Sequence, residues 1–191
     1  MIVFLDTEFT DLLQPELLSI GMAAMPDRSF YAELDLSTEA GKARAKAATD
    51  FVRSGGVLEQ WGLVPGSSGT EWEMGRRAGE WLLGLAAEAG AKVEVAFDYS
   101  VDLELLERSI RESGLWEQVQ EVLLPINVNS ITGTITGELA AESFYEELAV
   151  QGELGIKRHH ALADALALKE AYVAVKAQAL LRAAEARRKA V

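Results

Sequence analysis

The chain begins with the apolar run Met1-Ile2-Val3-Phe4-Leu5, followed at once by Asp6-Thr7-Glu8-Phe9-Thr10. A continuous apolar run of this kind is typical of a central strand that is covered on both faces of its sheet. Because side chains alternate along a strand, Asp6 and Glu8 should leave its carboxyl end on one side while Thr7 points to the other. The segment therefore predicts a buried strand that ends in two converging carboxylates.

The rest of the chain predicts a mixed sheet with helices on its faces. Residues 17–24 and 29–36 are typical of strands joined by a turn around Met25-Pro26-Asp27-Arg28, which makes an antiparallel meander. Further strands are expected at 92–99 and 121–128, and helices at 71–89, 102–113, 138–150 and 161–191. We expect one α/β domain over residues 1–191, with a mixed five-stranded sheet flanked by helices. Residues 37–70 should form an irregular excursion over one edge, and residues 152–158 a loop.

Composition limits the class of protein. With 191 residues, 49% of them hydrophobic and 25% charged, the chain has the size and make-up of one globular domain. It has no apolar run near the roughly 18 to 20 residues that a membrane span needs, and no basic leader precedes the first strand. We expect a cytoplasmic, unprocessed protein that does not enter a membrane. Because the chain has no cysteine, any metal site must use oxygen or imidazole ligands.

The formal net charge of −12 constrains the partner. Proteins that coat long nucleic acid neutralise many phosphates with Lys and Arg, so this acidic chain is not expected to do so. Binding the short end of a strand is compatible with the charge. A carboxylate cluster that holds divalent cations would itself contribute to the negative total.

A second group of acidic residues follows another predicted strand. The apolar stretch Val93-Glu94-Val95-Ala96-Phe97 leads into Asp98, and Asp102 stands at the start of the next helix. Open α/β sheets place their sites at the carboxyl ends of strands, and oxygen ligands suit Mg²⁺ or Mn²⁺. Taken alone, Asp98 is equally compatible with a turn residue and Asp102 with a helix N-cap.

The third group is His159-His160-Ala161-Leu162-Ala163-Asp164. On a continuous helix, His159 and Asp164 would lie about 140° apart and could not act together. They converge if His159 lies in the loop before the helix and Asp164 in its first turn, which the glycine-containing stretch before them permits. A histidine held there is a candidate general base.

In their order and spacing, these three segments resemble the motifs of the DEDDh class of 3′-to-5′ exonucleases. The stretch 4–9 resembles the first motif, with its Asp-x-Glu pair, and 159–165 resembles the third, in which His precedes Asp by five positions. Residues 96–106 align without gaps on the second motif. This places Asp102 at the ligand position and Asp98 where Asn is usual, so Asp98 is a second candidate for that ligand. The chain is most similar to the small mycobacterial-type 3′-5′ exoribonuclease group.

The resemblance implies a ribonuclease-H-like sheet and metal-dependent hydrolysis that releases nucleoside 5′-monophosphates from single-stranded 3′ ends, with RNA favoured over DNA. Two ions, Mg²⁺ or Mn²⁺, would be held by four carboxylates, and His159 would be the general base. The implied ligands are Asp6, Glu8, Asp102 and Asp164. The Ala-rich terminal helix could pack against a copy of itself in a homodimer, or could equally cover the sheet.

Several other residues are candidates for substrate contacts. Thr7 and Phe9 follow the first carboxylate and can meet the terminal nucleotide, although Phe9 is equally plausible in the core. Lys157 and Arg158, immediately before the histidine, are candidates for backbone phosphates or, equally, a solvated loop. Asp98 is a further candidate for a substrate contact.

Two rival functions are compatible with parts of the sequence. The stretch 6–10 superficially resembles the Asp-x-Asp-x-Thr motif of haloacid-dehalogenase-type phosphatases, but Glu8 at its third position and the His159–Asp164 pair count against that family. The other rival is a non-catalytic interaction domain that keeps a nuclease fold. The presence of all five expected site residues weakens this second reading.

Overall fold

The computed structural model describes residues 1–152 and 154–189. One six-stranded mixed sheet is flanked by helices, which confirms the expected α/β class. The strands are β1 (Ile2–Phe9), β2 (Leu17–Ala24), β3 (Arg28–Leu34), β4 (Ser68–Gly69), β5 (Val93–Phe97) and β6 (Leu123–Asn127). Their order across the sheet is β4-β3-β2-β1-β5-β6. β1 therefore lies inside the sheet, antiparallel to β2 and parallel to β5.

The sheet has one strand more than the five that the sequence predicts. The extra strand, β4, pairs Ser68 and Gly69 in parallel with Glu33 and Leu34 of β3. Two small or polar residues carry no alternating pattern, so periodicity does not reveal such a strand. The five predicted strands are all present, with bounds that differ by a few residues.

The helices lie between and after the strands. They are α1 (Glu39–Ala47), α2 (Asp50–Ser54), α3 (Glu71–Ala89), α4 (Ser100–Glu112), α5 (Trp116–Val122), α6 (Asn129–Thr132), α7 (Ile135–Gln151) and α8 (Ala161–Lys189). The excursion over 37–70 is more regular than expected, because it contains α1, α2, a 3-10 turn at Leu58–Gln60 and β4. The predicted loop and terminal helix are present, although Glu153, Ala190 and Val191 lie outside the described residues.

Both faces of β1 are covered by helices. Val3 and Leu5 lie in the main apolar core with residues of α3 and α4. Phe4 points to the opposite face, where it packs against Leu168 and Tyr172 of α8. All three strand residues are fully buried. The apolar run therefore holds the strand from both sides and fixes the position of the acidic residues that follow it.

A glycine in β2 lets α8 begin directly against the sheet. Gly21 is the cross-strand partner of Asp6, and a Cβ on Gly21 would lie 2.1 Å from the carbonyl carbon of Ala161. A real side chain cannot approach a backbone carbonyl so closely, so this position requires glycine. The first turn of α8, which contains Asp164, is thereby brought close to Asp6.

The two ends of α8 have different surroundings. Residues 161–171 are largely buried against the sheet, whereas every residue from 179 to 189 is exposed.

Over the described ranges of the chain, none of the helices has both the length and the apolar character needed to cross a membrane.

Candidate active site

Carboxylates from distant parts of the chain converge where β1 ends. Asp6 and Glu8 lie on β1, and Asp164 lies in the first turn of α8. One carboxylate oxygen from each of these three residues lies within 4.8 Å of the corresponding oxygen of the others. We call these three residues the acidic cluster. The predicted convergence of Asp6, Glu8 and Asp164 is therefore present.

Asp102 is attached to the same strand by two hydrogen bonds. The backbone N–H and the hydroxyl of Thr7 both donate to Asp102 Oδ1, over 3.1 and 2.7 Å. Both residues are buried. Asp102 accepts from both donors of Thr7, and these contacts fix the start of α4 beside the acidic cluster; the substrate contact of Thr7 stays a prediction.

Burial and mutual repulsion make the cluster carboxylates hard to ionise. Burial, then repulsion from Asp164 and Asp102, raises the pKa of Glu8 to about 8, and the same causes raise the pKa of Asp6 well above its ordinary value. Burial raises the pKa of Asp164 to about 6 and that of Asp102 to about 7, against the opposing hydrogen bonds that each accepts. A cation among these oxygens would favour their charged forms.

The donor set fits a hard divalent cation. The three cluster residues offer only carboxylate oxygens, closely spaced and partly enclosed by protein. Mg²⁺ and Mn²⁺ prefer such ligands, whereas softer metals prefer sulfur or imidazole. Without a cation, at least one of these carboxyl groups would hold a proton near neutral pH. The cluster can therefore hold a metal ion.

Asp164 is held by two donors besides its own helix. The backbone N–H of His159 donates to its carboxylate oxygens over 3.1 and 3.3 Å, and the Tyr145 hydroxyl donates over 2.7 Å. The carbonyl of His160 in turn accepts a hydrogen bond from the Asp164 N–H over 3.0 Å. These contacts orient the Asp164 carboxylate toward the end of β1.

His159 lies in the loop before α8, as its spacing from Asp164 predicts. Its backbone φ is 66°, in the left-handed region that residues other than glycine rarely adopt. Its ring meets Phe51 edge-on, with 5.0 Å between the centroids. Burial and the charge of Arg158 lower the pKa of His159, so the imidazole is neutral at pH 7 and can accept a proton.

A buried glutamine from the excursion holds the histidine loop. The Gln60 side-chain amide donates to the carbonyls of Arg158 and His159 over 3.0 and 3.1 Å. Its oxygen accepts the backbone N–H of Lys157 over 2.6 Å. The sequence gives no signal for Gln60, because a polar residue about 100 positions from its partners has no local pattern that reveals the contact.

The acidic cluster lies between two cavities of different character. The apolar cavity, of about 880 Å³, has Glu8 in its wall together with Phe9, Leu12, Leu13 and Phe51. Leu12 and Leu13 are strongly exposed, at 82% and 93%. The polar cavity, of about 490 Å³, has in its wall Asp6, Asp98, Tyr99, Tyr145 and Asp164. Phe9 therefore faces a cavity and not the core alone.

The second-motif carboxylates take different positions. Asp98 lines the polar cavity, and burial raises its pKa. Asp102 is deeply buried, with one oxygen occupied by Thr7. Neither belongs to the three-residue acidic cluster, but the charges of both raise the pKa of Asp6. Both therefore lie close enough to affect an ion held there.

The two basic candidates are engaged in ion pairs. Lys157 pairs with Glu59 over 3.8 Å. Arg158 pairs with Glu142 and lies over the ring of Tyr145, at 4.4 Å from its centroid. Arg158 is thus next to a residue that binds Asp164, while Lys157 faces the excursion.

The neighbouring residue, His160, is buried in the protein interior. It is 2% exposed and stacks on Tyr31, with ring centroids 4.3 Å apart. Burial lowers its pKa to about 4, so it is neutral in the folded protein at ordinary pH. His160 therefore packs the start of α8 against β3, whereas the ring of His159 contacts Phe51 in the wall of the apolar cavity.

No protein-family model matches the chain, and no curated protein matches its sequence. The function must therefore be argued from the site itself.

Proposed function

We propose that the protein is a metal-dependent 3′-to-5′ exoribonuclease of the DEDDh class with a ribonuclease-H-like fold. It would release nucleoside 5′-monophosphates from single-stranded 3′ ends. The observation that carries the proposal is the convergence of Asp6, Glu8 and Asp164, from opposite ends of the chain, beside a histidine and an apolar cavity. No packing or folding requirement explains why buried carboxylates should be assembled against their own repulsion.

The acidic cluster and Asp102 are the groups that would hold two Mg²⁺ or Mn²⁺ ions. When bound, such ions stabilise the charge that develops on the attacking and leaving oxygens of a phosphodiester. The protein holds its ligands rigidly for this task. Thr7 orients Asp102, and both Tyr145 and the His159 backbone orient Asp164. Asp98, on the polar side, is the alternative to Asp102.

His159 is proposed to take the proton from the attacking water. Its lowered pKa keeps the ring neutral at pH 7, as a general base requires. Three constraints hold it: the carbonyl contact with Gln60, the backbone contact with Asp164, and the ring contact with Phe51. The unusual backbone angle is compatible with a residue held in place for function.

The apolar cavity is proposed to receive the terminal base. It has a volume typical of small-ligand pockets, and Phe9 and Phe51 offer aromatic surfaces on which any base can stack. Glu8 lies in its wall, so a base bound there would bring its own phosphate to the acidic cluster. A pocket for one terminal base beside the cluster favours attack at a strand end over attack within a strand.

The test uses single-stranded RNA and DNA, each labelled at the 5′ or the 3′ end, with Mg²⁺ or Mn²⁺. Wild type should shorten the 5′-labelled RNA one nucleotide at a time and release a labelled mononucleotide from the 3′-labelled strand. Asp6→Asn should be inactive. Asp27→Asn, which removes an exposed carboxylate paired with Lys169, should match wild type.

Other outcomes would change the proposal. If the protein prefers DNA, the proposed 3′-to-5′ hydrolysis stands and the substrate is single-stranded DNA. Absence of cleavage of either polymer by folded protein would overturn the exonuclease proposal in favour of a non-catalytic interaction domain.

A further inference from the structure

The exposed end of α8 is basic, unlike the rest of the protein. Residues 173–189 contain five basic residues and one acidic residue, Glu185, in a chain whose net charge is −12. Among the ion pairs formed within residues 1–152 and 154–189, none involves Arg182, Arg187, Arg188 or Lys189. Such charge asymmetry is typical of proteins that contact nucleic acid with one segment.

One face of α8 connects this basic end with the acidic cluster. Asp164, Leu168 and Ala171 line the polar cavity. Val175, Gln178 and Arg182 line a further cavity of about 320 Å³. At about 100° per residue, these six positions point in nearly the same direction. We call them, with Lys189, the groove face of α8.

The opposite wall is also shared between the two cavities. Gly133 lines the polar cavity, and the next residue, Thr134, lines the further one. From Asp164 to Arg182 the helix advances roughly 27 Å at 1.5 Å per residue. The groove face thus extends well beyond the space that a single nucleotide needs.

The four basic residues between positions 182 and 189 divide between two directions. Lys189 lies seven positions after Arg182, within about 20° of the same direction, so both belong to the groove face. Arg187 and Arg188 point away from that face by about 120° or more. The helix end therefore contains a matched pair of cations on the groove face and another pair off it.

We propose that the groove face of α8 binds the backbone phosphates of the single strand upstream of its 3′ end, with Arg182 and Lys189 as the phosphate contacts. This inference rests on the proposed exonuclease function and specifies how a longer substrate is held. The acidic body repels a polyanion, so a strand that leaves the cluster along this face is attracted by the cations there that form no ion pair with the described residues. Glu138 in the polar cavity and Glu185 near the helix end are negative charges that weaken this attraction.

The experiment compares two double variants with the same loss of charge on the same helix. Arg182→Ala with Lys189→Ala removes the groove-face pair, and Arg187→Ala with Arg188→Ala removes the other. Both are assayed on a dinucleotide and on a 12-nucleotide RNA. Binding of the 5′-fluorescein-labelled 12-mer without divalent metal is followed by anisotropy between 50 and 200 mM KCl.

The groove-face variant should bind the 12-mer about tenfold more weakly. The slope of log K against log salt concentration should be smaller in magnitude by roughly 1.4, because each lost phosphate contact on a single strand reduces it by about 0.7. Its cleavage of the dinucleotide should be unchanged, because so short a substrate cannot reach Arg182. The off-face variant should resemble wild type in both assays.

Two results would overturn the inference. If both double variants weaken binding equally, the basic helix end attracts RNA through its total charge, and the groove face has no special role. Normal binding together with a change from dimer to monomer, measured by light scattering in the groove-face variant, would make this face a contact between copies. If wild type cleaves neither substrate, the exonuclease proposal fails, while the anisotropy comparison still tests the groove face.

Discussion

The two cavities beside the acidic cluster differ in both chemistry and origin. The apolar cavity is built by the segment after β1 and by α2, with exposed Leu13 and Phe51 in its wall. The polar cavity is built by α6, α7 and α8, with Tyr145 and Asp98. If the proposed function holds, the two sides of the scissile phosphate would be recognised differently. Stacking would hold the terminal base on one side, and polar and charged contacts the strand on the other.

The largest expected effect comes from the cluster that separates the cavities. Asp6 lines the polar cavity and Glu8 the apolar one, yet both should act as one metal site. Asp6→Asn and Glu8→Gln should each reduce kcat at least about a thousandfold, and the double variant should lose little more, because groups that act as a unit are not additive. Single-turnover cleavage of labelled RNA measures this. Additive losses would mean that the two carboxylates work separately.

Replacement of His159 should give the next largest effect. His159→Gln should lower kcat roughly 10² to 10⁴-fold, as expected for loss of a general base. Because its pKa lies below the ordinary value, the wild-type rate should rise as pH increases through that pKa and level off above it. The variant should lack this rise. Rates of wild type and His159→Gln measured from pH 5 to 9 check both expectations. If the variant has the same pH profile as wild type, His159 is not the general base.

Aromatic residues of the two cavities provide a direct contrast. Phe51 in the apolar cavity and Tyr99 in the polar cavity are 55% and 64% exposed, so truncation of either should leave folding intact. Phe51→Ala should raise KM about tenfold or more, since stacking of one base contributes roughly 1 to 3 kcal/mol. Tyr99→Ala should have little effect on KM. The reverse result would place the terminal base in the polar cavity.

Gln60 should have a smaller effect that is confined to the histidine loop. Gln60→Ala leaves the carbonyls of the loop without their donor, which should cost about 1 to 3 kcal/mol of stability and lower kcat roughly tenfold. Urea unfolding and initial rates measure the two effects. Gln120→Ala, which removes an exposed amide bonded to Glu117, is the control and should change neither. Lost stability with unchanged kcat would make Gln60 purely structural.

The parts of the molecule that sequence analysis predicts are those with local patterns. The apolar run before Asp6 and the spacing of His159 from Asp164 place both ends of the site correctly. Contacts between distant polar residues carry no such pattern. Thr7 meets Asp102 across 95 positions, and Gln60 meets the histidine loop across nearly 100.

The excursion shows the same limit. Its glycines and its one proline, Pro65, predict irregular structure, yet it supplies α2 and Phe51 to the apolar cavity. Thr49 begins α2 by accepting a hydrogen bond from the backbone N–H of Val52. Local composition describes the segment, but only the fold brings it to the site.

The most direct test of the central claim is a calorimetric titration of wild type and Asp6→Asn with Mn²⁺ at pH 7, in two buffers of different ionisation enthalpy. Carboxyl groups with pKa raised to about 7 and 8 retain protons at this pH, so a bound cation must displace them. We predict two Mn²⁺ ions per chain and release of about one proton in wild type, with both lost or strongly reduced in the variant. Absence of binding, or binding unaffected by Asp6→Asn, would contradict the assignment of these carboxylates as a metal site.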